Sequence, residues 1–142
     1  MKRSLAVVIL TLAILVHGVG QSMGFLESWQ IAVMNPQAEV DYRGLLGTIG
    51  ANDMVVRSVG LLFVVTMIGF LATMYGVYQG LKWWRPMITV MSVLSLVIFS
   101  LWWATIPITN IAGALTLNIV FLLAAYLWPH PIGTPAPTNR LQ

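Results

Sequence analysis

Three polar side chains fall inside stretches that are otherwise apolar: His17, Gln21 and Asn118. His17 and Gln21 belong to the run LAILVHGVGQSMGFL, residues 12–26, and their spacing of four puts them on one face of a helix. Asn118 ends a second ladder, Asn110, Ala114 and Asn118, again at intervals of four. An imidazole can accept or donate a hydrogen bond or carry a proton, and a carboxamide can do both kinds of bonding at once. At matching depth in neighbouring helices, these groups could hold the polar end of a ligand. They could equally hydrogen-bond one helix to the next, at an average of about 0.6 kcal/mol each. The bonding role takes precedence, because no acid is expected inside a span beside the histidine and a proton relay usually needs one.

Other chemistry is bounded by what the sequence lacks. There is no cysteine, so no disulfide, thiol nucleophile, iron–sulfur cluster or cysteine zinc site. No grouping of His, Asp and Glu suggests a metal site, and no metal is expected. Bis-histidine haem needs two axial histidines, and the spans hold one. Met67 or Met91 could stand in, but methionine is ordinary filler of apolar cores. RGLLGTIGAND, residues 43–53, spaces glycines like a phosphate loop but lacks the G-K-[ST] that grips phosphate. No serine in the spans has the neighbours of a triad, so no catalytic residue is assigned.

The elements that must position these residues follow from composition. Hydrophobic residues make up 58% of the 142 and charged ones 8%, against about 25% charged in soluble domains. The chain therefore reads as an integral membrane protein. Its net charge of +3 is too small and too scattered for a nucleic-acid surface. Crossing a hydrocarbon core of about 30 Å takes about 20 helical residues. Four runs qualify: residues 5–26, 58–79, 87–105 and 111–128, the last with a start as early as Ile108. Backbone groups in lipid must be bonded within the segment, so the spans are helices. The expected fold is all-α, a polytopic four-helix bundle forming one membrane domain over residues 1–128, with an outside loop at 27–57.

Lys2, Arg3, Lys82, Arg85 and Arg140 fall on one side of such a bundle, and Arg43 and Arg57 on the other. The larger group is expected in the cytoplasm, which places both termini inside. All six tryptophans fall at span ends, as an aromatic belt requires. A competing expectation treats residues 1–20 as a signal peptide cut near Gly18-Val19-Gly20, which would remove His17. Apolar character resumes at Met23–Leu26, which favours a full span instead.

In the outside loop, Ser28 is expected to cap a short interfacial helix, SWQIAVM, stopped by Asn35-Pro36. Asp53 and Arg57, four apart, are expected to pair where span two begins. The tail, residues 129–142, carries four prolines and His130 and is expected to be disordered and cytoplasmic. Tyr75 and Tyr78 read as belt residues rather than catalysts. Small residues share faces with the polar ones: Gly20 and Gly24 beside His17 and Gln21, Ala72, Gly76 and Gly80 in span two, and Ala114 between the asparagines. Such stripes let helices approach closely, so these positions are expected to pack against helices. A contact between His17 or Gln21 and Asn118 is the sharpest expectation. Ser92 and Ser95 are expected to bond back to their own helix.

HGVGQSMGF in span one, GLLFVV in span two and the WWRP turn before span three resemble a group of small bacterial four-helix membrane proteins, loosely similar to the DoxX-like group. The resemblance covers most of residues 5–128 and implies the four-helix fold and a bacterial inner (cytoplasmic) membrane location. It also implies an association with membrane redox partners and quinone-linked systems. In that group a second histidine often stands where this chain has Gln21, which weakens any two-histidine metal or haem site. Three functions are weighed, and the first, a non-enzymatic one, leads. The first is an accessory or structural subunit, packing on a membrane partner or its own copies through the small-residue faces. The second is a DoxX-like redox component in which His17, Gln21 and Asn118 line a quinone- or lipid-sized pocket. The third is a small oligomeric transporter with those residues on its path. No resident cofactor is predicted beyond a possible quinone or lipid, and the expected surroundings are membrane lipid with no nucleic acid.

Overall fold

The computed structural model describes residues 5–32, 45–102 and 108–127. They form α1 (Leu5–Gly20), α2 (Ser22–Ser28), α3 (Leu45–Thr48), α4 (Asp53–Gln79), α5 (Trp84–Leu101) and α6 (Ile108–Leu127). No strand occurs among the described residues. Four helices are long and apolar enough to cross a membrane: Leu5–Ser28, Asp53–Gln79, Trp84–Leu101 and Thr109–Leu127. The tail, His130 and residues 33–44 lie outside the described residues.

α1 and α2 are two halves of one span. At Gln21 the backbone tightens: its N–H is shared between the carbonyls of His17 and Gly18, at 3.2 and 3.1 Å. Gly24 N–H then reaches back three residues to the Gln21 carbonyl at 3.2 Å, the spacing of a 3₁₀ turn. The helix continues past Leu26, where the apolar run ends, and carries Glu27 and Ser28 inside it. The short interfacial helix expected from Ser28 onward is absent over its described part. Ser28 closes α2, with its Oγ donating to the Phe25 carbonyl at 2.8 Å, and residues 29–32 form a turn and bend.

α4 begins five residues before the expected span. Asn52 is its N-cap and accepts the Val55 N–H at 3.0 Å, so the helix starts where a side chain can satisfy its first free donors. It ends at Gly80, whose φ of 70° lets Leu81 N–H bond back to the Gly76 carbonyl at 2.9 Å. α5 starts with Trp84-Arg85-Pro86, and a proline in the first turn has no hydrogen bond to lose.

The four long elements pack in the order α1–α4–α5–α6, with α2 also against α4. α1 and α6 touch only slightly, so the bundle is not closed along that edge. Glycines set the approach of the first span to α4. A Cβ on Gly18 would lie 2.9 Å from Phe70 Cβ, one on Gly24 would lie 2.6 Å from the Phe63 ring, and Gly60 is pressed against Ser28. Two apolar clusters result. One gathers Leu10, Ile14, Phe70, Trp84, Ile88 and Phe121, and the other Leu46, Phe63, Ile98, Phe99 and Trp102. Leu46 brings α3 onto the second cluster. Trp84 and Trp102 stand at helix ends as a belt would have them, but both are core residues, 1% exposed. Trp29, Trp83, Tyr75 and Tyr78 are exposed.

Candidate functional site

A polar layer separates the two apolar clusters. Along α4 it falls at Thr66, between Phe63 and Phe70; along α5 at Ser95, between Met91 and Ile98; along α6 at Asn118, before Phe121. Gln21, 1% exposed, is its hub. Its Nε2 donates to Ser95 Oγ at 3.0 Å and stands 3.0 Å from His17 Nε2, while Thr66 Oγ1 lies 3.4 Å from its Oε1. Asn118 Nδ2 donates to the same Ser95 Oγ at 3.1 Å and to the Ala114 carbonyl at 3.0 Å. With the carboxamide so assigned, His17 Nε2 is the acceptor and the ring proton sits on Nδ1.

The layer therefore ties α1, α4, α5 and α6 together. Gln21 and Asn118 meet through Ser95 rather than directly. The Asn118 side chain also faces the imidazole. Ser95 turns away from its own helix to accept both amides, unlike Ser100, which donates to the Leu96 carbonyl as expected of a serine in a span. His17 is held by packing as well. Its ring meets Phe70 and Phe121 edge to face, at centroid distances of 4.9 and 5.4 Å.

Beside this layer lies a partly open cleft of about 380 Å³, along the edge where α1 and α6 scarcely meet. One wall is His17, Gly20, Gln21, Gly24 and Glu27; the other is Asn110, Gly113, Ala114 and Leu117; Phe63 and Phe99 lie between them. The site residues expected from sequence divide accordingly. His17 and Gln21 reach the cleft. Asn118, fully buried, stands behind it in the polar layer. Of the small residues, Gly24 is packed on Phe63 and Gly76 on Trp83 and Trp84, and Ala114 packs against the second cluster. Ala72 is half-buried, and Gly80 serves as the α4 cap. Gly20 meets nothing within 4 Å among the described residues, and neither does Gly113. Both line the cleft.

By sequence position Glu27 falls in the outside loop, because an apolar run naturally ends at its first charge. It lies instead in the helix of the first span, 8% exposed, on the same cleft as His17. The premise that no acid accompanies the histidine does not hold. The nearby cation Arg57 is stacked over the Trp29 ring, 5.6 Å from its centroid, and does not line the cleft. No group of three or more metal-ligating side chains occurs among the described residues.

Compared with known proteins, the chain matches no family model, no curated protein and no solved structure.

Proposed function

We propose that this small multi-pass membrane protein holds an amphiphilic molecule from the surrounding bilayer in the cleft between α1 and α6. The observation that carries the reading is the coincidence, in one cleft at the unsealed edge of the bundle, of an imidazole, a carboxamide and a carboxylate. Ionisable groups within a membrane protein's spans are costly, and they mark functional sites. A volume of about 380 Å³ lies within the range of roughly 300–1,000 Å³ used by small-molecule sites. The sequence resemblance supports a quinone as one such ligand, in a DoxX-like membrane redox system. In the proposed arrangement both termini face the cytoplasm of a bacterial cell, on the strength of the distribution of lysine and arginine.

A second reading, the accessory subunit, rests on Gly20 and Gly113. Helical glycines with nothing against them among the described residues leave room for a partner helix to seat in the same edge.

Native mass spectrometry of the intact protein released from nanodiscs separates the two. The ligand reading expects an adduct of definite small mass that is lost when the cleft is filled by Gly113→Leu. A stoichiometric protein subunit with no adduct supports the second reading. A bare chain from several lipid mixtures overturns the first.

A further inference from the structure

We propose that the molecule held in the cleft is a cationic single-tailed amphiphile, a lipophilic amine, with its ammonium group at Glu27 and its tail running toward His17. This rests on the cleft reading above and names the chemistry of its occupant.

Glu27 is the one charged side chain among the described residues lining the cleft. It sits in the first membrane-length helix and is 8% exposed, so the cleft carries negative charge at this end. It also interacts within the chain, so a ligand cation joins existing contacts. An ammonium group brings up to three N–H donors to a carboxylate, whereas a phosphate or carboxylate head brings a like charge.

The dimensions select the tail. Ten residues separate Glu27 from His17, about 15 Å along a helix. Between them the walls are Gly20, Gln21 and Gly24 on one side and Asn110, Gly113, Ala114 and Leu117 on the other, a mostly small-residue and apolar lining interrupted by two carboxamides. About 380 Å³ suits one alkyl chain and is too little for a two-chain phospholipid. The cleft's unsealed edge offers such a molecule a path from the bilayer without passage through water.

The test uses the full chain in phosphatidylcholine nanodiscs with ¹³C-methyl-labelled methionine. Met23 lines the cleft, and its resonance, assigned with Met23→Leu, reports occupancy directly. Three probes share one tail: dodecylammonium, dodecanol and dodecanoate. Dodecylammonium is expected to shift Met23 saturably at a mole fraction at least tenfold lower than dodecanol, with dodecanoate weakest. Glu27→Gln is expected to erase the amine's advantage while keeping the dodecanol response, which also shows that the variant is folded. Glu27→Asp is expected to retain part of the advantage. Equal responses to all three heads, or an amine preference that survives Glu27→Gln, overturn the cationic ligand and leave the cleft reading standing. If no probe shifts Met23 saturably, and decylubiquinone does not either, both fall.

Discussion

Gln21 and Asn118 donate to one oxygen, Ser95 Oγ, at 3.0 and 3.1 Å. A hydroxyl on α5 thus joins the first and last spans, whose backbones approach little and whose direct contact runs through side chains such as His17 against Phe121. The edge that holds the cleft is kept in register from behind, by a bond through a third helix.

Ser95→Ala removes the shared acceptor and leaves one carboxamide hydrogen on each partner without its bond. Hydrogen bonds between helices in membranes average about 0.6 kcal/mol, so a loss of about 1–2 kcal/mol is expected for the pair. Reversible unfolding in mixed micelles measures it. A double variant with Asn118→Ala should cost less than the sum of the two single ones, because both remove the same bond.

Gly24 and Gly20 are four residues apart and should respond oppositely to alanine. At Gly24 the added methyl meets the Phe63 ring, and a loss of about 1–3 kcal/mol is expected from overpacking. At Gly20 no described residue lies within 4 Å of the added methyl, so stability should hold or rise by up to about 1 kcal/mol through helix propensity. Paired thermal unfolding of the two variants checks this, and a destabilised Gly20→Ala would mean that another body already occupies the edge.

Gly113→Leu should fill the cleft from the α6 side without disturbing the bundle. The expected result is an unchanged melting temperature in the ligand-free protein and at least a tenfold loss of probe binding at Met23. A fall in both together would show that Gly113 has a packing role.

His17→Phe separates packing from hydrogen bonding. A phenyl ring can keep the edge-to-face contacts with Phe70 and Phe121, and Gln21 keeps Ser95. Stability should stay within about 1 kcal/mol of the parent, while any retained ligand that bonds to the imidazole should be lost from the native mass spectrum.

Much of the fold is legible in the sequence, because span length and the absence of charge are set by the bilayer itself. The common depth of His17 and Asn118 is legible for the same reason: each can be counted from the ends of its own span. What escapes is whatever depends on which way a helix faces. Spans apolar on every side give no rotational signal, so Trp84 and Trp102 read as belt residues although both point into the core. Glu27 escapes for a related reason. Hydropathy closes the span at the first charge, while the helix continues as long as packing on α4 supports it, here through Gly24 against Phe63 and Ser28 against Gly60. The unsealed edge between α1 and α6 is a property of four helices together and has no local signature in any one of them.

A cleft filled from the bilayer, as proposed above, changes what concentration means for this protein. Its ligand supply would be the number of molecules per lipid in one leaflet, not the number per litre. Adding buffer would leave its occupancy almost untouched, while adding empty lipid would drain it. Two cells with equal amounts of the protein and the ligand would fill the site differently if their membrane areas differed.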